Sequence, residues 1–230
     1  MKIEIVEFAE GAKKAEGVAV IIDVFRAFSV ECYAFDAGVS QIIATSEVQS
    51  ALEMKKLYRN SVLAGERNEI KIEGFDYGNS PTEILKADLT GKILIHTTTA
   101  GTHGLVSAVN AETVLTGSFV NCGAIVRYIR FLNPDTVYLV AMGYRAKESA
   151  DEDLLCAKLI KERLNGGNEI TKKDIDALQH SSGKRFFNKA NINFSPPTDF
   201  FLCTMTDRFN FVLKAVKRPD GNVSIIRTDI

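Results

Sequence analysis

Leu63-Ala64-Gly65-Glu66-Arg67, followed after a short gap by Gly74-Phe75-Asp76-Tyr77-Gly78-Asn79-Ser80-Pro81, is the stretch on which the fold reading turns. Val62, Leu63 and Ala64 make an apolar strand that runs into a glycine, where the backbone is free to turn. A carboxylate and a guanidinium then stand side by side. An acid and an amide, Asp76 and Asn79, accompany two more glycines, and Ser80-Pro81-Thr82-Glu83 opens a helix. Ser80 suits the N-cap, Pro81 the first turn, and Glu83 closes a capping box. Strand, polar loop and helix N-terminus follow one another closely, which is how α/β proteins build anion and metal sites. A surface loop with an incidental ion pair would have the same composition.

The same alternation extends in both directions. Lys2–Glu7 alternates as a strand, and Val18-Ala19-Val20-Ile21-Ile22 is continuously apolar, the mark of a strand buried on both faces. It ends on Asp23-Val24-Phe25-Arg26, and Ala27-Phe28-Ser29 leads into a helix closing at Gly38. An acid at the carboxyl end of a buried strand is where open α/β sheets bind ligands, and it must be paired or face a solvated cleft. Gln41–Ala44 is a short strand before a Ser46-capped amphipathic helix.

Strand Lys92–His96 precedes Thr97-Thr98-Thr99-Ala100-Gly101-Thr102 and a helix to about Ala108; hydroxyls and a glycine in such a turn suit a phosphate oxygen. No Walker loop is present. Strand Thr113–Gly117 delivers Ser118, Phe119, Val120 and Asn121 to a helix running to Phe131. Thr136–Met142 is another buried strand, with Arg145 in the polar loop after it. Ser149-Ala150-Asp151-Glu152 reads as a second capping box, opening a helix that Gly166-Gly167 ends. Thr171–Gln179 is helical, His180–Pro197 partly irregular, Phe200–Phe209 helical. Phe211–Val216 and Val223–Arg227 form a hairpin. With no repeat or linker, residues 1–230 read as a single domain.

A net charge of -1 gives no electrostatic reason to expect nucleic acid. No apolar run is long enough to span a bilayer, and the N-terminus enters strand alternation without a signal-peptide pattern. Cys32, Cys122, Cys156 and Cys203 are widely spaced and form no Cys-x-x-Cys pair, which fits a reduced, cytoplasmic protein. The sequence does not set the oligomeric state; a homo-oligomer is compatible with it.

Acids cluster at element ends: Asp23, Glu66, Asp76, Glu152 and Asp153. Mg²⁺ takes a few carboxylates plus waters and substrate oxygens. Acids in a first helical turn also stabilise the macrodipole by roughly 0.3–1 kcal/mol each with no metal. Arg26 and Arg67 each follow an acid; they are ion-pair partners or planar forks for phosphate oxygens. His96, His103 and His180 have no metal-ligand spacing. Cys122 with Arg127, and Cys203 with Arg208, stand one residue too close for a cysteine-phosphatase loop. Asp23-Val24-Phe25 is not the Asp-x-Asp of an aspartyl-phosphate enzyme of the haloacid-dehalogenase type, and no Arg-His-Gly occurs.

Taken in order, Asp23-Val24-Phe25-Arg26-Ala27, Gly65-Glu66-Arg67 with Gly74–Pro81, Thr97–Thr102, Gly117–Asn121 and Glu152-Asp153-Leu154-Leu155-Cys156-Ala157 resemble the 2-phosphosulfolactate phosphatase family. The resemblance covers most of the chain up to about Ile160. Ala100 stands where the family usually has Asn, and Phe28 where it has a small residue or Thr. The resemblance implies a three-layer α/β/α fold with a mixed β-sheet. It also implies a phosphoric monoester hydrolase that uses Mg²⁺ on 2-phospho-3-sulfolactate, a step in coenzyme M biosynthesis.

On that reading Asp23, Glu66 and Asp76 are catalytic, and Asp23, Glu66, Asp76, Glu152 and Asp153 are candidate Mg²⁺ ligands. Arg26, Arg67, Asn79, Thr98, Thr99, Thr102, Ser118 and Asn121 are candidate substrate contacts, with Arg145 as a further source of charge. A metal-activated water and attack by Asp23 both remain open as routes of hydrolysis. A phosphatase for another small phosphorylated acid and a non-catalytic anion-binding module are the rival readings.

Overall fold

The strand Val18–Ile22 (β2) is buried at every residue, so it needs a helical layer on each face. A computed structural model, describing residues 1–167 and 169–230, shows both. Ala19 and Ile21 enter one core with Ala12, Phe28 and Leu105, while Val18, Val20 and Ile22 enter another with Ile125, Leu139 and Leu159. The period of two along a strand thus sorts one apolar run into two cores.

The other strands are Lys2–Glu7 (β1), Gln41–Ala44 (β3), Ser61–Arg67 (β4), Ile70–Lys71 (β5), Ile93–Thr97 (β6), Thr113–Gly117 (β7), Thr136–Ala141 (β8), Phe211–Lys217 (β9) and Val223–Asp229 (β10). They form a mixed sheet in the order β1-β8-β2-β7-β9-β10-β3-β6-β4-β5. Helices are Phe8–Lys14 (α1), Ala27–Asp36 (α2), Val48–Leu57 (α3), Pro81–Ile84 (α4), Gly101–Ser107 (α5), Cys122–Leu132 (α6), Asp151–Leu164 (α7), Lys172–Ala177 (α8) and Pro197–Cys203 (α9). The α1 and α5 cores lie on one side, α6 and α7 on the other, and the three-layer α/β expectation holds.

Two parallel blocks, β1-β8-β2-β7 and β3-β6-β4, are joined by the antiparallel hairpin β9–β10. Through that hairpin the blocks run in opposite senses. Five pairings separate β2 from β6, and twist of roughly 20–25° per pairing turns the second block through about 100–125°. The carboxyl ends of β2 and β4 and the loop after β6 thereby reach one cleft, represented by Asp23, Glu66 and Thr99. Gly65 permits the close β4–β6 approach: a Cβ there, at φ +155°, would stand 2.1 Å from Thr97 O.

Several local expectations differ from the structure. Ser80 does cap α4, accepting from Glu83 N, but the Glu83 carboxylate accepts from Gly78 N instead of closing the box. Neither Ser46 nor Ser149 caps a helix; the N-caps are Glu47 and Ala150, and Ser149 Oγ donates to Glu7. Helix α9 begins at Pro197 and ends at Cys203, well short of Phe209, because proline suits a first turn and the chain then crosses to β9. Helix α1 had no clear periodic signal.

Candidate active site

The cleft is lined by carboxylates from three strand or helix ends and by arginines from three separate segments. Asp23 follows β2, and its Oδ1 accepts from Ala27 N at 3.2 Å, which ties it to the start of α2. Oδ2 has no hydrogen-bond partner among the described residues. A Cβ at Gly101 would stand 2.9 Å from that oxygen, so the absence of a side chain there keeps it open. Burial raises the Asp23 carboxyl to about 6; the Ala27 N–H works against this, the charges of Glu66 and Glu152 add to it, and Arg185 opposes.

Glu66, near the end of β4, is seated by Thr99 N at 2.7 Å, Glu69 N at 2.8 Å and Thr99 Oγ1 at 3.2 Å. Glu152 lies in the first turn of α7, 3% exposed, and its Oε2 is buried without a hydrogen-bond partner. Burial raises its carboxyl above the ordinary range, with the Arg185 charge pulling it back. Asp153 is a clamp: Oδ1 accepts from Val24 N and Oδ2 from Gly143 N, both at 2.8 Å, joining the loops after β2 and β8. Its carboxyl is pushed well up by burial and by the Glu152 and Asp23 charges.

Other expected residues are drawn into the scaffold. Asp76 lies outside the cleft: it is exposed, accepts from Leu63 N at 2.8 Å and stands 3.5 Å from Lys55 Nζ. It is therefore set aside as an acid or a ligand. Thr98 and Thr102 bond to each other and are buried. Ser118 and Asn121 form a capping box, with Ser118 Oγ also 2.6 Å from Ser29 Oγ. These four are turned inward because a strand-to-helix turn in a core must satisfy its own N–H groups. Thr99 does line the cleft, but both of its donors serve Glu66.

Arg67 is likewise occupied, donating to Glu66 O and Ser46 O at 2.7 Å and to Thr97 Oγ1 at 2.9 Å. An Arg67→Lys variant accordingly loses the fork that ties β4 to β6, and its melting temperature falls by a few degrees while KM stays near wild type. A KM raised tenfold in a protein of unchanged stability would return Arg67 to the substrate. Arg26 borders the cleft, yet it is 3% exposed and paired with Asp199 Oδ2 at 2.7 Å.

Arg185 was missed by sequence reasoning. It comes from the 3₁₀ turns at Ser182–Phe187, donates to Phe25 O at 2.8 Å and pairs with Glu69 at 3.0 Å. Its guanidinium also lies 5.2–5.8 Å from the ring centres of Phe25, Tyr144 and Phe186. The signal available was an arginine beside two phenylalanines in a polar stretch. Arg145 is exposed at the mouth and carries no ion pair among the described residues.

Among the described residues, no three His, Cys, Asp or Glu side chains form a ready-made metal cage. Mg²⁺ seldom needs one, taking one or two carboxylates and completing its shell with water and substrate phosphate. The cleft fits that pattern. Five carboxyl groups, of Asp23, Glu66, Glu69, Glu152 and Asp153, face three guanidinium groups, of Arg26, Arg145 and Arg185. The unpartnered Asp23 Oδ2 and Glu152 Oε2 are the atoms that could hold such a cation.

A mixed α/β sheet delivering carboxylates and arginines to one polar cleft suits the chemistry of the class of phosphoric monoester hydrolases. Within that class the chain belongs to the 2-phosphosulpholactate phosphatase family, whose family model matches residues 4–217. It is 40% identical over 171 residues to the probable 2-phosphosulfolactate phosphatase of Caldanaerobacter subterraneus subsp. tengcongensis, covering 74% of this chain and 70% of that one. Identity to the Bacillus subtilis (strain 168) protein of the same description is 32% over 213 residues, covering 91% and 90%. For that of Clostridium beijerinckii it is 36% over 198 residues, covering 84% and 81%.

Proposed function

We propose that the chain is a Mg²⁺-dependent phosphatase for 2-phospho-3-sulfolactate or a closely related small phospho-acid. The observation that carries this reading is the excess of carboxyl over guanidinium groups in the cleft, with two carboxylate oxygens unpaired. Asp23 and Glu152 hold the cation, with Glu66 behind them. When bound, Mg²⁺ neutralises phosphate charge and stabilises what develops as the ester breaks. Arg185 and Arg145 orient the acid groups of the substrate, and Asn79 offers its amide.

Thiol chemistry has no support. All four cysteines are buried and unpaired. Burial drives the Cys122 and Cys203 thiols upward, away from thiolate character.

Phosphate release from a panel of small phospho-acids tests the reading. Phosphosulfolactate with Mg²⁺ should be among the best substrates, chelation should abolish turnover, and Cys122→Ser should remain active. Full activity after exhaustive chelation would overturn the metal assignment. Faster release from an uncharged phosphate ester would overturn the substrate class.

A further inference from the structure

Two titratable side chains lie wholly inside the core beside the cleft, and the reaction proposed above leaves them unused. Glu31, in the second turn of α2, and His96, in β6, are both 0% exposed, with His96 Nδ1 3.1 Å from Glu31 Oε1. On the other edge of the ring, Nε2 stands 3.2 Å from Asn79 Oδ1. Asn79 lines the cleft. The three side chains thus make a line from the core to the place of the substrate.

We propose that Glu31 and His96 are positioning residues that fix the Asn79 amide, oxygen inward, so that its Nδ2 hydrogens are presented to the anionic oxygens of the bound phospho-acid. The inference rests on the phosphatase reading of the cleft. Its physical basis is a proton count. A carboxylate beside a neutral ring would bury a net negative charge, and Glu31 Oε2 has no partner to offset it. An uncompensated buried charge is costly, so the pair takes up one more proton and becomes neutral overall. That proton rests on Nδ1 or on Glu31 Oε1, the oxygen facing Nδ1, since Oε2 has no partner to receive a hydrogen; in both arrangements Nε2 keeps its own.

A ring N–H requires an acceptor, so Asn79 must turn Oδ1 toward it. Burial accordingly pushes the Glu31 carboxyl upward, against the hydrogen bond and charge of His96. Asn79 Nδ2 has no hydrogen-bond partner among the described residues and is not among the atoms sealed in the core, which leaves it free to donate into the cleft. Without the pair the amide is free to rotate and offer its oxygen to an anion, which repels it.

Replacing a buried pair by apolar residues of similar size is often neutral for folding, so the test combines Glu31→Met with His96→Leu. With phosphosulfolactate and Mg²⁺, the double variant should melt near wild type and show KM raised about tenfold, the scale of one lost hydrogen bond to a charged group, at little changed kcat. Asn79→Ala alone should raise KM by a similar factor, and adding it to the double variant should bring no further rise. Additive rises, or a fall in kcat at unchanged KM, would overturn the proposal. If wild type releases phosphate from no member of the panel, the phosphatase reading has failed. In that case, or if the double variant does not fold, ¹⁵N NMR of the His96 ring in the wild-type protein decides the amide orientation: a proton on Nε2 supports the inference, and a bare Nε2 overturns it.

Discussion

Asp23→Asn should leave a folded protein whose turnover with Mg²⁺ and phosphosulfolactate falls by about a thousandfold or more. The side chain follows the most deeply buried strand, so its backbone is held by β7 and β8 on either side. Ala27 N–H holds one carboxylate oxygen, and Gly101 leaves the other open. The substitution keeps size and the anchored oxygen while removing the charge directed at the cleft. Rapid acid quench of the wild-type enzyme during turnover separates two roles: a labelled phosphoenzyme marks Asp23 as nucleophile, while none, with weaker Mg²⁺ affinity in the variant, marks it as ligand. Near-normal turnover would remove Asp23 from the chemistry.

The same variant carries a stability signature of known sign in chelated protein. The folded-state value of about 6 lies above the ordinary carboxylate value of 3.8, so folding favours the protonated form. Stability contributed by Asp23 is therefore greatest below the ordinary value and is lost as pH rises through about 6. Asn carries no such charge. Asp23→Asn should match wild type near pH 4 and exceed it at pH 8 by up to about 3 kcal/mol. Thermal melts across that range measure it, and a variant less stable than wild type at pH 8 would contradict it.

Asp199→Ala should have the largest effect on stability, about 3–5 kcal/mol, or a fall in melting temperature of roughly 10 °C for a chain of this size. Asp199 is fully buried and ties three segments together: Oδ2 holds Arg26, while Oδ1 accepts from Ser80 Oγ at 2.8 Å and Thr82 N at 2.9 Å. Removing it leaves the Arg26 guanidinium in the core with only carbonyl partners, Phe194 O at 2.6 Å and Glu69 O at 3.5 Å. Asp199→Asn, which keeps one acceptor, should cost clearly less. A melting temperature within a degree or two of wild type would show that solvent reaches Arg26 and replaces the pair.

The apolar runs of β2, β6 and β8 were legible because a strand covered on both faces must be apolar at nearly every residue. Their loops were legible because polar groups that end such strands need solvent or partners. Asp23 and Glu66 followed from that rule, and Glu152 from the acids of a first helical turn. The threonine run was read correctly as a strand-to-helix turn, and its hydroxyls as phosphate contacts, yet the structure spends them on Glu66 and on each other. Asp76 and Arg67 belong to the same error. Sequence spacing shows that a polar group follows a strand but not which way its side chain turns.

What the sequence determined by itself was therefore the strands other than the two-residue β5, the α/β class and the neighbourhood of the acids, since hydrophobic periodicity and turn chemistry act over a few residues. The tertiary structure alone decided that Arg185, from a segment without regular periodicity, reaches Phe25 across 160 residues of chain, and that Arg26 meets Asp199 across 173. It also decided that Glu31 and His96 are buried together behind Asn79. Those pairings depend on sheet order and accumulated twist, which are set by packing of the whole core and leave no mark at any one position of the chain.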